Sequence, residues 1–339
     1  MNKTVGSSPR AGRRFLAIIV ALAFIIAACG GADTATDATE DGDSSGRILI
    51  SGSSTVEPIT ARVAEAFADA NPDLAISVEG PGTGDGFKKF CAGETDISNA
   101  SRAIKEAEAE ACAAEGIEFV GLEVGIDGLS VLTSPDNDTV ECLSFADLYA
   151  LTGPEATGFG SWDAANSLGS EVGGNGDYPA ENLVITGPGE ESGTYDTFVE
   201  LVIEDIADER GQDAVTRPDY TSSPNDNVIV EGITGSPTSL GWVGFAFFAE
   251  NQDVLKAIQV DDGETGCVAP TEETIADGTY PLSRSLYVYV NKGNAAENES
   301  LTAFMDFYLS DGFDNVTEAG YVALPADRAA ATKSAWEDR

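Results

Sequence analysis

Three segments of the chain share one pattern, in which an apolar strand-like run ends in Gly with Ser or Thr and leads into a predicted helix. They are residues 48–58 (ILISGSSTVEP), 76–87 (ISVEGPGTGDGF) and 183–195 (LVITGPGEESGTY). Glycine lets the backbone approach a ligand closely, hydroxyl groups donate hydrogen bonds, and a helix start offers unpaired N–H groups at the positive end of its dipole. The pattern therefore predicts a site that holds a small anion.

The composition argues against several kinds of catalysis. The 339 residues include no His, which removes the usual general base, the usual zinc ligand and every His-containing triad. The glycines at 80, 82, 84 and 86 do not satisfy the GxGxxG dinucleotide fingerprint, because Asp85 and Phe87 stand where the third glycine would have to be. We expect no catalytic residue, no metal site and no cofactor.

The order of predicted elements indicates an α/β fold. Residues 48–51 read as a buried strand, and Pro58 opens a helix that Asn71-Pro72 ends. Further strands are predicted at 74–78, 117–124, 128–133, 183–186 and 286–290, and helices at 145–151, 300–310 and 327–337. Ser144 with Asp147 is typical of a capping box before the helix at 145–151.

The charge of the chain is strongly negative. Apart from four basic residues in the first 28, 14 of the 18 Lys and Arg remain, against 58 Asp and Glu. Such a surface repels a polyanion, so no nucleic-acid partner is expected. Hydrophobic residues make up 42% of the chain, enough for a substantial core in the roughly 290 residues after position 46. The predicted anion site must therefore be a local exception to the negative electrostatic field of the whole chain.

The N-terminal segment predicts export. Basic residues precede an apolar run at 15–28 that is shorter than the ~20 residues of a spanning helix, and the run ends at Cys29. The sequence Ile26-Ala27-Ala28-Cys29 resembles the lipobox of bacterial lipoprotein signals, which implies a signal peptide at 1–28 and a lipid-modified Cys29. Residues 29–46 are small and acidic, and we expect a flexible tether there.

The other cysteines are Cys91, Cys112, Cys142 and Cys267. An even number in an exported protein suggests two disulfides rather than a metal site. Three pairings are possible. We favour Cys91 with Cys112 and Cys142 with Cys267, because this pairing keeps each bridge within one predicted domain.

Six motifs in order resemble the substrate-binding lipoproteins of the Pst phosphate ABC importer. They are GSSTVEP at 52–58, GTGDGFKKFCAGETDISNASRAI at 82–104, DGLSV at 127–131, ESGTY at 191–195, LGWVGF at 240–245 and YPLSRSLYVYV at 280–290. The resemblance implies a type II periplasmic-binding-protein fold, in which two α/β lobes enclose a ligand cleft and two crossover strands near 124–132 and 282–290 form a hinge. Lobe one would comprise residues 47–126 and 284–339, and lobe two residues 127–283.

The resemblance also implies the residues that would hold phosphate. Hydroxyl and backbone donors would come from three loops, and Arg102 would be the charged clamp, with a planar fork suited to two phosphate oxygens. The implied set is Ser54, Thr55, Thr83, Gly84, Ser101, Arg102, Ser192, Gly193 and Thr194.

The chain departs from the family pattern at two of these positions. Pro188-Gly189 stands where an Arg would precede the SGT motif, and Arg102 stands where an Asp would follow the serine of the lobe-one loop. A carboxylate that accepts the proton of hydrogenphosphate must then come from elsewhere. The candidates are Glu190, Glu191 and Asp85, in that order.

The function implied by the resemblance is capture of inorganic phosphate outside the membrane and delivery to an ABC permease, by a monomer anchored to the outer face of the cell membrane through lipid. The same fold could instead take sulfate, molybdate or arsenate. An exported phosphatase or serine hydrolase using Ser54 or Ser192 is disfavoured by the lack of His. A purely structural surface lipoprotein would bind no small anion.

Overall fold

The computed structural model of the protein describes residues 46–190 and 192–339. The strands are β1 (Arg47–Gly52), β2 (Ala75–Glu79), β3 (Ile97–Ala100), β4 (Phe119–Thr133), β5 (Cys142–Ser144), β6 (Val184–Gly187), β7 (Thr221–Ser222), β8 (Ser239–Gly244), β9 (Lys256–Ala257), β10 (Gln259–Asp261) and β11 (Ser283–Asn291). The helices are α1 (Glu57–Ala70), α2 (Thr83–Cys91), α3 (Glu106–Ala114), α4 (Phe145–Thr152), α5 (Asn166–Val172), α6 (Gly193–Phe198), α7 (Glu204–Arg210), α8 (Asp226–Thr234), α9 (Phe245–Glu250), α10 (Glu272–Ala276), α11 (Lys292–Glu297), α12 (Glu299–Tyr308), α13 (Asp314–Glu318) and α14 (Ala326–Glu337). A π-helical turn at Val199–Ile203 joins α6 to α7.

Most strands form one mixed sheet in the order β2-β1-β3-β11-β4-β8-β6-β7, with β9 paired to β4. β1 runs parallel to β2 and β3, and β6 runs parallel to β7 and β8. β11 is antiparallel to both β3 and β4. Parallel strands need crossover connections, and helices supply them here. The carboxyl ends of β1 and β6 therefore lead into loops that can share one site.

β4 is longer than the sequence predicted. Strands were expected at 117–124 and 128–133, but the structure has one strand over Phe119–Thr133, with a register irregularity opposite Leu286–Tyr287. The glycines within β4 allow helices to pack closely onto the strand and do not interrupt it. A Cβ on Gly125 would lie 2.9 Å from Val316, and one on Gly128 would lie 2.8 Å from Ile275, so helices pack directly onto this part of the strand.

The buried apolar residues form two large clusters. One contains Ile48, Ile59 and Phe304 with residues of β1, β11, α1 and α12, and the other contains Trp162 and Trp242 with residues of β6, β8 and α4. Complete burial of an aromatic side chain of this size stabilises the fold by about 2–3 kcal/mol. β4 and β11 contribute to the sheet between the clusters, which gives the predicted two-lobe α/β fold. The lobe boundaries at 126/127 and 283/284 stay a prediction.

The predicted local features are present where they fall on described residues. Ser144 and Asp147 form the capping box of α4, with the Asp147 N–H donating to Ser144 Oγ at 3.1 Å. Cys91 is bonded to Cys112 and Cys142 to Cys267, which confirms the favoured pairing. The predicted signal peptide at 1–28, Cys29 and nearly all of the tether lie outside the described residues.

Candidate functional site

Loops from the two lobes meet around a cavity of about 320 Å³. The loop after β1, the loop between β2 and α2, the end of β3 and the first turns of α6 form its walls. Its lining residues are Ser53, Ser54, Thr55, Gly80, Pro81, Gly82, Thr83, Ser101, Tyr195, Asp196, Val199, Glu200 and Ala214. Four hydroxyl-bearing residues of the predicted set therefore line one small cavity: Ser54, Thr55, Thr83 and Ser101.

The loop after β1 is held by a close backbone approach. Gly52 has φ 146°, and a Cβ on it would lie 2.0 Å from the carbonyl oxygen of Asn99, so only glycine fits there. Ser53 Oγ then accepts from the N–H groups of Thr55 at 3.2 Å and Val56 at 3.4 Å, which turns the chain into α1. The turn directs Ser54 and Thr55 into the cavity.

The second loop brings the start of α2 to the same place. Gly82 has φ 109° and precedes the first turn of the helix, and a Cβ on Gly86 would lie 2.4 Å from the Cα of Gly52, so α2 packs against β1. Thr83 Oγ1 accepts from the Ser101 N–H at 3.1 Å and lies 2.9 Å from Ser101 Oγ. The predicted residues Thr83 and Ser101 are thus neighbours in one wall.

The third loop approaches from the opposite side. Ser192 caps α6, since its Oγ accepts from the Thr194 N–H at 3.2 Å. A Cβ on Gly193 would lie 3.2 Å from the Cα of Thr55, so the two loops are almost in backbone contact there. Across the same gap Ser54 Oγ donates to Asp196 Oδ2 at 2.5 Å.

Arg284 of β11, whose side chain is 10% exposed, contacts the residues of the cavity wall. Arg284 Nη2 donates to Thr55 Oγ1 at 3.1 Å and to Thr197 Oγ1 at 2.5 Å, and Nη1 pairs with the carboxylate of Glu200. Its Nε lies 3.5 Å from Asp127 Oδ2. Arg284 therefore makes direct contacts with Thr55 and Glu200, two residues that line the cavity.

Asp127 completes this network from β4. Its carboxylate accepts a hydrogen bond from Thr197 Oγ1 at 2.8 Å, and only 6% of its side chain is exposed. Burial raises the pKa of Asp127, and the charge of Arg284 acts against that rise. A guanidinium beside a buried carboxyl is held in one orientation, which fixes where its other donors point.

Arg102, the predicted clamp, is engaged elsewhere. Its Nη1 and Nη2 each donate to Glu108 at 2.8 Å, and the guanidinium lies 5.7 Å from the centre of the Phe87 ring. The hydrogen bond to Glu108 raises the pKa of Arg102. Arg102 and Arg284 both line an adjoining cavity of about 610 Å³, and neither is among the residues that line the cavity between the loops. The sequence analysis missed Arg284, although it lies in the quoted segment YPLSRSLYVYV.

Of the candidate proton acceptors, Asp85 and Glu190 are not among the residues that line the cavity. Asp85 forms an exposed ion pair with Lys88 at 2.7 Å, and the hydrogen bond from Lys88 lowers the pKa of Asp85. Glu190 is exposed, and Glu191 lies outside the described residues. Among the residues that the structure describes, the carboxylates that line the cavity are those of Asp196 and Glu200, neither of which the sequence pattern indicated.

Within 46–190 and 192–339, no group of three or more His, Cys, Asp or Glu side chains is placed to hold a metal ion. Over the same residues, no helix has both the length and the apolar character that crossing a bilayer requires.

The chain is similar to a large set of known proteins. Residues 34–312 match the family model described as a PBP superfamily domain. Protein SphX of Synechocystis sp. is 36% identical over 83% of this chain and 79% of its own length, and the phosphate-binding protein PstS of Staphylococcus saprophyticus is 33% identical over 90% and 88%. A crystal structure described as that of a possible phosphate binding protein from Planctomyces limnophilus superposes with a TM-score of 0.78 at 37% identity, covering 87% of this chain and 98% of that one.

Proposed function

We propose that this chain, which belongs to the PstS family of the PBP superfamily, captures inorganic phosphate in its interlobe cavity and delivers it to an ABC permease. The observation that carries the proposal is the cavity itself. It is small, it lies between two lobes, hydroxyl groups and the start of α2 line it, and Arg284 donates a hydrogen bond to its lining residue Thr55. These are the groups that stabilise a desolvated oxyanion.

The positive charge that offsets the bound anion comes from Arg284 in this proposal. Both arginines pair with carboxylates, but Arg284 also donates to the cavity residue Thr55, whereas Arg102 donates to Ala103 and Glu108, which do not line the cavity. The hydroxyl and backbone donors remain those of the predicted set: Ser54, Thr55, Thr83, Gly84, Ser101, Ser192, Gly193 and Thr194. Arg102 then contributes to the potential at the mouth of the site rather than to direct contact.

Selectivity for phosphate is assigned to Asp196. The Ser54 hydroxyl donates its hydrogen to Asp196, so the two side chains present only acceptor atoms to a ligand in the cavity, and Ser54 can donate to the anion only through its backbone N–H. Hydrogenphosphate has a proton to donate to such a pair, and sulfate at neutral pH has none. The carboxylate therefore favours phosphate or arsenate over sulfate.

The protein is a receptor and not a catalyst in this proposal. It acts outside the membrane as a monomer, anchored by a lipid on Cys29 after removal of residues 1–28. Lobe one comprises 47–126 and 284–339 and lobe two 127–283, a division supported by the two apolar clusters except at Ile126, Val322 and Leu324, which pack with the cluster of lobe two. Intact-mass measurement of the mature protein should find an acylated Cys29 at its N-terminus.

Isothermal titration calorimetry with phosphate, arsenate and sulfate on the purified, delipidated protein tests the function. We expect binding of phosphate and arsenate at one site per chain, and no heat from sulfate at the same concentrations. Tight binding of sulfate or molybdate with none of phosphate would assign the cavity to another oxyanion. A phosphate-ester hydrolysis assay on the same sample should show no activity above buffer.

A further inference from the structure

Three chain segments, rather than two, pass between the apolar clusters of the lobes. Besides β4 and β11, the link between α13 and α14 does so, because Tyr321 packs against the cluster that contains Ile48 whereas Val322 and Leu324 pack against the cluster that contains Trp242. Val322 also exchanges two backbone hydrogen bonds of 2.9 Å with Ile126 of β4. The hinge region is therefore covered by a third segment that leads directly into α14.

Arg328, on the first turns of α14, binds three different elements at this hinge. Its Nε donates to Glu123 Oε2 of β4 at 3.0 Å, and its Nη2 pairs with the other carboxylate oxygen. Nη2 also donates to Ser285 Oγ of β11 at 2.8 Å, and Nη1 donates to the carbonyl oxygen of Ala276 at the end of α10 at 2.8 Å. One guanidinium thus joins both crossover strands to a helix of the other lobe.

The ion pair between Arg328 and Glu123 is partly shielded from water. The side chains of Arg328 and Glu123 are 31% and 16% exposed. Thr332, also on α14, donates from its Oγ1 to the backbone carbonyl of Glu123 at 3.0 Å. The carbonyl of Ala276 is one of those at a helix end that lack an intrahelical donor. A charged hydrogen bond at such a group is stronger than one between neutral partners.

We propose that Arg328 is a hinge clasp that stabilises the conformation in which the lobes touch across the cavity. The bond to Ala276 and the interlobe contact between Ser54 and Asp196 are present together in one conformation. Rotation of one lobe against the other about β4 and β11 must move α10 relative to α14. The hydrogen bond from Arg328 on α14 to the Ala276 carbonyl on α10 opposes that movement. The clasp therefore sets the fraction of molecules whose lobes are together, and ligand affinity scales with that fraction.

The test compares Arg328→Met, which keeps the aliphatic stem, with Arg328→Lys, which keeps the charge but loses the fork. Arg62→Met is the matched control, because Arg62 forms an exposed ion pair with Glu318 at 3.9 Å, between α1 and α13 and away from α10. Two quantities are measured on each protein: the radius of gyration by small-angle X-ray scattering in phosphate-free buffer, and the Kd for phosphate by calorimetry.

We expect Arg328→Met to have a larger radius of gyration than wild type without phosphate, the wild-type radius at saturating phosphate, and phosphate binding weaker by about tenfold. Arg328→Lys should lie between the two, and Arg62→Met should match wild type. If Arg328→Met does not fold, Arg328→Lys and Ser285→Ala take its place. Folded variants with the wild-type radius and the wild-type Kd would overturn the clasp.

The inference rests on the proposed function only through the choice of phosphate as the probe. If wild-type protein fails to bind phosphate, the proposed function fails, and the scattering comparison in phosphate-free buffer still decides on the clasp. An unchanged radius with a weakened Kd would also overturn it, because the loss would then arise without a change in lobe separation.

Discussion

Arg284 and Asp127 are directly opposite each other on the two antiparallel crossover strands, with 3.5 Å between the arginine Nε and an aspartate oxygen. Their side chains are 10% and 6% exposed, so the pair is shielded from solvent and salt. Asp127 lies beside the Nε of Arg284, and the terminal nitrogens of Arg284 contact Thr55 and the carboxylate of Glu200. The hinge strands and the ligand cavity are thereby connected through one ion pair.

Replacement of Arg284 should therefore remove phosphate binding. We expect Arg284→Met to weaken the affinity by roughly 30-fold to several-thousand-fold, or ~2–5 kcal/mol, because a desolvated dianion loses its cationic partner. Arg102→Met, at the arginine that the sequence favoured, should stay within about threefold of wild type, since its guanidinium donates to Ala103 and Glu108 and to no residue that lines the cavity. Calorimetry with phosphate measures both.

The control guards against an effect on folding. Arg284→Met leaves the Asp127 carboxylate buried without its partner, which costs several kcal/mol of stability in general. The double variant Arg284→Met/Asp127→Asn removes that charge and should regain much of the stability but not the phosphate affinity. If Arg102→Met loses binding and the double variant does not, the assignment of the two arginines is reversed.

Acid sensitivity should arise in part from Arg217 and Asp219. Arg217 is 5% exposed and donates to both oxygens of Asp219, at 2.6 and 2.9 Å, and these bonds lower the pKa of Asp219 from 3.8 to about 2. Since the folded pKa lies below the unfolded value, the pair contributes full stability above about pH 4 and loses it as the pH falls through 2. The carboxylate is 36% exposed, so solvent screening limits the contribution to about 1 kcal/mol.

Urea unfolding at pH 6 and at pH 2.5 measures this contribution. Asp219→Asn should be less stable than wild type at pH 6 and should lose less stability between the two pH values. Asp253→Asn, at an exposed aspartate, should follow the wild-type curve at both. Equal losses in all three proteins would show that Asp219 has no part in the acid response.

The sequence predicted the parts of the site that depend on local order. A strand that ends in glycine with hydroxyl residues and leads into a helix is specified within about ten residues, and β1, β6 and the starts of α2 and α6 are where this pattern placed them. The cysteine pairing followed from the expected domains in the same way.

The charged groups could not be predicted in this way. The position of Arg284 depends on its alignment with Asp127 across two strands that are 157 residues apart in sequence, and on Thr197 of a third element. The sequence carried one signal, a charged residue shortly before each of the two apolar runs predicted as strands at 128–133 and 286–290. Arg102 lies in one of the quoted motifs and was therefore preferred as the clamp. Its guanidinium is instead oriented by the ion pair with Glu108, in the first turn of α3.

The last prediction concerns Asp196, whose carboxylate faces the cavity and accepts from Ser54 at 2.5 Å. Asp196→Asn replaces an acceptor with an amide that also donates. We expect it to weaken phosphate binding by about tenfold or more and to permit measurable sulfate binding, because the like-charge repulsion is removed and a donor is gained. Competition calorimetry with phosphate and sulfate at pH 7.5 measures the gap between the two ligands.

Three other carboxylates serve as comparisons in the same experiment. Glu190→Gln, Glu191→Gln and Asp85→Asn alter the acceptors that the sequence suggested, and Asp85 is engaged by Lys88 at the surface. Each should keep the wild-type preference for phosphate over sulfate, because the acceptor is assigned to Asp196, and Asp85 and Glu190 are not among the residues that line the cavity. Because the discrimination of a site built around a ligand hydroxyl reaches about 10⁴ to 10⁵, its loss at one position should be unmistakable. If Asp196→Asn keeps the full preference and one of the other three loses it, the acceptor is that residue and the Ser54–Asp196 contact serves only to hold the lobes together.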